Sequence, residues 1–142
     1  MAAPTSSRPL AGQVALVAGG SSRIGRALGL ALAHDGADIA FTFRNSAREA
    51  AELERDLRAS GVRVLALQAD LRQSSQVEAV LQQLEAQMGR LDLLVNNLGR
   101  YETAVFEALS DDQWEAMVAT NLTAPFLLSR AAVPRLRAAG GG

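Results

Sequence analysis

The residues able to do chemistry lie in four short stretches, the first of them a glycine-rich turn. Between Val14 and Ala33 the chain reads VALVAGGSSRIGRALGLALA. An apolar strand feeding a glycine turn and a helix N-terminus forms a phosphate site, because unpaired helix N–H groups face the ligand and small residues let the backbone approach. Gly19, Ser21, Ser22, Arg23, Ile24 and Gly25 would make that cradle, for a dinucleotide cofactor. The second stretch is Phe43-Arg44-Asn45-Ser46. NAD-specific sites put an acid there for the ribose 2′-hydroxyl, whereas NADP-specific sites put an arginine near the 2′-phosphate. Arg44, Asn45 and Ser46 offer a guanidinium and two small polar groups, so the expected cofactor is NADP(H). Asp38 stands about 20 residues after Gly19, the spacing of an NAD acid, but it opens its strand at the other end of the sheet and reads as solvated. Ala69-Asp70-Leu71 and Asn96-Asn97-Leu98-Gly99 are the third and fourth stretches.

What is absent bounds the rest. The chain has no cysteine, one histidine, and 14 basic residues that are all arginine, so neither thiolate chemistry nor a lysine ammonium is available. His34 alone cannot build a metal cluster, and no metal is expected. A net charge of -1 with interspersed signs lacks the basic stripe that nucleic-acid binding needs. Residues 1–11 carry Pro4 and Pro9 and no apolar core, so they read as a disordered leader, neither a signal peptide nor a membrane span. The cytoplasm is the expected compartment.

The elements that must position these stretches follow from a repeated unit of apolar run, turn, helical pattern and glycine. Strands are expected at 13–18, 38–43, 62–68 and 91–96. Gly36, Gly61 and Gly89 fit helix C′ positions. Ile24, Leu28 and Leu32 would form the buried stripe of the first helix; Val77, Val80, Leu81, Leu84 and Met88 that of the third. Ser46/Glu49, Ser75/Glu78 and Ser110/Gln113 match the capping box. A long helical pattern from Ser110 to about Ala138 should bend at Pro125 and Pro134, with Trp114, Met117, Val118 and Leu122 packing. Near-continuous apolar strands alternating with helices imply a Rossmann-type doubly wound parallel α/β sheet of about four strands, order 3-2-1-4. Residues 12–142 would be one dinucleotide-binding domain, with ligand residues beyond the carboxyl ends of the strands. In that order the fourth strand is an apolar edge, which favours association.

Taken together these motifs resemble the short-chain dehydrogenase/reductase family, whose first turn reads TGxxxGxG. Ala18 replaces the threonine and Arg23 the middle glycine, as in the TGxxxRxG turn of pteridine reductases. The resemblance assigns Asp70 the adenine amino group, with Leu71 beside it, and Asn97 and Gly99 the family's NNAG motif, in which Leu98 replaces alanine. TNLTAPFLL matches the helix of the catalytic asparagine, here Asn121. The implied activity is NADP(H)-dependent hydride transfer to a carbonyl or imine carbon, with a small ketone, 3-oxoacyl or pterin-like substrate. The family's Tyr and Lys are missing: Tyr101 is followed four places on by Val105. The chain therefore resembles the N-terminal, cofactor-binding portion of such a reductase, incomplete at its C-terminus and expected to be inactive alone; the full-length form is expected to be a homo-oligomer. The competing class is a catalytically inactive nucleotide-binding or interaction fragment. A methyltransferase on a similar sheet is disfavoured by the missing acid after the second strand.

Overall fold

The computed structural model describes residues 8–21 and 23–140. At its centre is a parallel sheet in the order β3-β2-β1-β4, built from β1 (Val14–Ala18), β2 (Asp38–Phe43), β3 (Val64–Gln68) and β4 (Leu93–Asn96). Helices α1 (Arg23–His34), α2 (Ala47–Ala59) and α3 (Ser74–Met88) make the crossovers, and α4 (Asp111–Val118) and α5 (Ala124–Ala138) follow β4. The architecture and strand order are those expected from the sequence.

The pleat of β1 and β2 sorts the core into two layers. All five residues of β1 are fully buried, as a parallel strand covered on both faces requires. Leu16 and Ala18 face Leu81 and Leu84 of α3 and Leu128 of α5, while Ala15 and Val17 pack with Ile39, Phe41 and the α2 leucines Leu53 and Leu57. Arg135 of α5 fastens the first layer by reaching Glu78 at 2.7 Å and Glu85 at 3.1 Å on α3.

Helix α1 corrects one expectation. Its buried residues are Gly25, Gly29 and Ala33, whereas Ile24 and Leu28 are 67% and 36% exposed. A Cβ on Gly29 would make an ordinary contact with Ile39 Cγ2 at 4.0 Å. Small residues lie against the sheet, Ile24 and Leu28 turn outward, and Leu32 of the expected stripe is partly buried against the second core layer together with Leu30. The stripe of α3 is buried as read.

The caps divide similarly. Ser110 and Gln113 form the full capping box of α4, while Ser46 precedes α2 without a side-chain cap bond. Ser75 lies inside α3, whose N-cap is Gln73. Between α4 and α5 the chain makes a π turn, Ala119–Thr123. Pro125 then falls in the first turn of α5, where its missing N–H costs least, and α5 continues through Pro134. Trp114 and Leu122 are 60% and 67% exposed, correcting their expected packing role. By length and composition 111–138 could cross a membrane, yet α5 puts Ala124, Leu128 and Ala132 into the core. β4 is an edge strand with half-buried Leu93, Leu94 and Val95.

At the amino ends of the strands, two carboxylates are absorbed by structure. Asp38 accepts from Arg63 N–H and Nε, both at 2.8 Å, so it is paired rather than solvated. Asp92 accepts from Val14 N–H at 2.8 Å and from Arg90 Nε, also at 2.8 Å. Residues 8–11, assigned to the leader, are tied down: Leu10 packs against the second core layer and donates its N–H to the Asp35 carbonyl. A short apolar side chain beside a surface turn suffices to dock them. Residues 1–7 lie outside the described residues.

Candidate functional site

The carboxyl ends of the strands open into one cleft of about 650 Å³, within the range of small-molecule and cofactor sites. Gly19, Ser21, Arg23 and Ile24 line it from the first turn, and Arg44, Asn45 and Ser46 from the exit of β2. Asp70 and Leu71 line it from the exit of β3, Asn97 and Gly99 from that of β4. Stretches distant in sequence thus meet where topology required. Ser22 lies outside the described residues.

The turn is fixed by its neighbours. Gly19 N–H donates to Thr42 Oγ1 at 3.1 Å and Gly20 N–H to the Thr42 carbonyl at 3.0 Å, while Asn97 Nδ2 donates to the Gly19 carbonyl at 3.0 Å. Both glycine N–H groups are therefore occupied by β2 and contribute shape rather than donors. The groups left for an anion are those of the first turn of α1, which have no intrahelical partner. Gly19 has φ +71 and a Cβ on it would lie 2.7 Å from the Asn97 carbonyl oxygen. Gly25 is off the cleft wall. It supports the turn from beneath, where a Cβ would fall against the Gly19 carbonyl and 2.7 Å from Asn97 Nδ2.

Arg23 opens α1 at φ +50, the only described non-glycine residue with positive φ. That left-handed conformation costs an ordinary side chain about 1–2 kcal/mol. Arg23 nonetheless lines the cleft.

Four arginines line the cleft, Arg23, Arg44, Arg72 and Arg100, with Asp70 the one carboxylate on its wall. Arg100 pairs with Glu102. Arg72 grips Asp70 through Nε at 2.8 and 3.1 Å and Nη2 at 2.5 Å, and its own N–H donates to Asp70 Oδ1 at 3.1 Å. The Arg72 guanidinium bond holds the Asp70 carboxyl below the usual carboxylate range, against the opposing effect of burial, with Arg44 adding a smaller attraction. Arg23 and Arg44 are in no ion pair among the described residues.

Asn121, expected as catalytic, is not on the cleft wall. Its amide closes a two-way clasp on the Arg100 backbone, accepting from the N–H and donating to the carbonyl, each at 2.8 Å. Its neighbour Thr120 lines the cleft, with a buried Oγ1 that has no partner. His34 and Tyr101 are strongly exposed and outside the cleft. Sequence reasoning missed Thr42, Arg72 and Thr120. A threonine between two phenylalanines on an inner strand was a usable signal for Thr42, because a buried hydroxyl needs a partner.

The short chain dehydrogenase profile matches residues 13–142, nearly the whole chain. The chain belongs to the short-chain dehydrogenase family. Among family members, an uncharacterised oxidoreductase of Methylorubrum extorquens is 35% identical over 92% of this chain and 53% of its own length. A 3-oxoacyl-[acyl-carrier-protein] reductase of Staphylococcus aureus is 32% identical over 86% and 50%. A dehydrogenase of Burkholderia cenocepacia solved with bound NADP superposes with a TM-score of 0.85 at 28% identity, over 89% of this chain and 49% of that one. The chain spans about half the length of the relatives it matches. As a short-chain dehydrogenase sequence it therefore carries a nucleotide-binding, Rossmann-type fold in which the family binds a nicotinamide dinucleotide.

Proposed function

We propose that the chain holds NADP(H) for a family-type hydride transfer to a carbonyl or imine carbon. The observation that carries this reading is the pair Arg23 and Arg44 on the cleft wall, with no acid at the exit of β2. The cradle fits the cofactor: Gly19 and Gly25 fix the tight shape of the turn, since a Cβ on either would strike neighbouring protein atoms, and the start of α1 offers a pyrophosphate N–H groups. When bound, the nicotinamide supplies or accepts the hydride. Arg44 with Asn45 and Ser46 binds the 2′-phosphate, and Arg23 closes over the phosphates. Asp70 and Leu71 receive the adenine, while Asn97 and Gly99 flank the nicotinamide ribose. Asn121 acts by holding the Arg100 backbone at the rim. The substrate class follows the relatives in outline only, a 3-oxoacyl chain, another small ketone or a pterin. A cytoplasmic setting suits this cofactor. Self-association is supported by the edge position of β4 and by the exposure of Leu122, Phe126 and Val133.

A second reading, a nucleotide-binding chain without turnover, is favoured by the absence of lysine and the 87% exposure of Tyr101, outside the cleft. Calorimetric titration with NADPH, NADH and S-adenosylmethionine tests the first proposal. NADPH should bind at least tenfold more tightly than NADH, and Arg44→Ala should remove most of that preference, since a charge-assisted bond contributes about 1.5–3 kcal/mol. Tighter binding of NADH overturns the NADP reading. Reductase turnover by the 142-residue chain would overturn the second.

A further inference from the structure

The exits of β2 and β3 stand side by side. Phe43 pairs with Gln68 in register, Ala69 N–H donates to the Phe43 carbonyl at 2.9 Å, and Gln68 Nε2 donates to the Arg44 carbonyl, also at 2.9 Å. Arg44 and Asp70 therefore leave the sheet on adjacent strands, which lie about 4.8 Å apart, and both line the cleft. A carboxylate in that place works against an anion at Arg44, which would meet a second negative charge on the same wall. Arg44 already attracts the Asp70 carboxylate, so an anion bound at Arg44 is repelled by Asp70 over a similar distance.

Arg72 cancels that charge. It binds both carboxylate oxygens, Nε to Oδ1 at 2.8 Å and Nη2 to Oδ2 at 2.5 Å, and adds its own backbone N–H to Oδ1 at 3.1 Å. The loop is pinned as well: Asp70 N–H donates to Gln76 Oε1 at 2.7 Å, and Gln73 N–H to the Asp70 carbonyl at 3.1 Å. With only 16% of its side chain exposed, Asp70 is screened less by solvent and salt than an open surface charge, and a fixed counter-charge does the work instead. We propose that Arg72 is a positioning residue for cofactor choice: by closing Asp70 into an ion pair it lets Arg44 keep a 2′-phosphate that a bare carboxylate beside it would repel. The inference rests on the NADP reading above. It makes the preference for NADPH depend on the balance of three side chains, of which Arg72 acts without touching the phosphate.

Dissociation constants of NADPH and NADH are measured at low ionic strength for the 142-residue chain, Arg72→Gln, Arg72→Lys, Asp70→Asn and the double variant Asp70→Asn/Arg72→Gln. Their ratio removes everything the two cofactors share. In Arg72→Gln the preference for NADPH should fall about fivefold, the repulsion between one charge and a dianion about 8 Å apart in water, and the fall should nearly vanish in about 1 M salt. Arg72→Lys keeps the charge and should stay within about twofold of the original ratio. Asp70→Asn releases Arg72 from its carboxylate and should raise the preference about threefold or more. The double variant, with neither charge, should return to the original ratio. A double variant as low as Arg72→Gln overturns the proposal, because Arg72 would then meet the phosphate itself. So does a folded Arg72→Gln protein with the original ratio, and, should that variant not fold, an Asp70→Asn protein whose preference fails to rise. An original chain that prefers NADH removes the NADP reading and this inference together, whereas an original preference for NADPH that no variant moves removes this inference alone.

Discussion

The two ends of the sheet use the same residue types to opposite effect. At the amino ends, Asp38 and Asp92 are mostly buried and each takes both an arginine and a backbone N–H, from Arg63 and from Arg90 with Val14. Charge there is closed within the fold. At the carboxyl ends, Arg23 and Arg44 face the cleft without an ion-pair partner among the described residues, and the backbone bends through a glycine turn and a strained arginine. Arginine and aspartate are thus structural where they tie one strand to the backbone of another, and Arg23 and Arg44 are available for a ligand where no such tie is made. Substitutions at the amino ends should move stability alone, and those at the carboxyl ends should move binding.

Gly25 is where that separation should break, with the largest effect. Gly25→Val places a branched side chain against the Gly19 carbonyl and the Asn97 amide, neither of which can withdraw without undoing the turn. Overpacking against backbone costs about 3 kcal/mol, the upper end of the usual range. Denaturant unfolding should show that loss, and whatever protein remains folded should bind NADPH at least tenfold more weakly. A stable Gly25→Val protein with unchanged affinity would mean that the turn is not the cradle.

Asp92→Ala sharpens the comparison from the other end. It leaves the Val14 N–H without its acceptor inside the sheet, which costs about 1–3 kcal/mol, while cofactor affinity stays within about twofold. Burial of Asp92 favours its neutral form, but the bonds from Arg90 and Val14 outweigh burial and bring its pKa below the ordinary value. A carboxyl with a lowered folded pKa contributes stability that is complete above its unfolded value, about 3.9, and is lost as pH falls through the folded one. Melting across pH 6 to 2 should therefore show a steep acid loss in the original chain that is shallower in Asp92→Ala. Equal slopes would place the acid-sensitive groups elsewhere, at Asp70 or Glu78, which are also lowered.

How far the sequence disclosed these two ends differs with the kind of interaction. Strand positions and order were legible because a parallel strand buried on both faces must be apolar throughout, as VALVA and DIAFTF nearly are. The cleft stretches were legible because topology puts them at strand exits. The pairing of Asp38 with Arg63 was not, since nothing local links a carboxylate to a guanidinium that register alone brings to it. The stripe of α1 was read only in part: Leu32 packs against the core, but at Ile24 and Leu28 the face on the sheet is instead made by glycine and alanine. At the site, the role of Thr42, unremarked in its strand, was not legible: it binds the N–H groups of both Gly19 and Gly20 and so fixes the turn.

The smallest effect expected is also the most discriminating. Arg23 occupies a left-handed conformation that glycine adopts at no steric cost, and the resembling family turn has glycine there. Relief of strain in Arg23→Gly is worth about 1 kcal/mol, offset in part by the greater unfolded-state freedom of glycine. Stability should therefore stay level or rise slightly. If Arg23 is held in that conformation to meet phosphate, the same variant loses about tenfold in NADPH affinity, the value of one charge-assisted contact, and loses the salt dependence that contact brings. Unfolding and binding then move in opposite directions at one residue. A variant that is both less stable and equally tight would assign Arg23 to the closed, structural arginines of the amino ends instead.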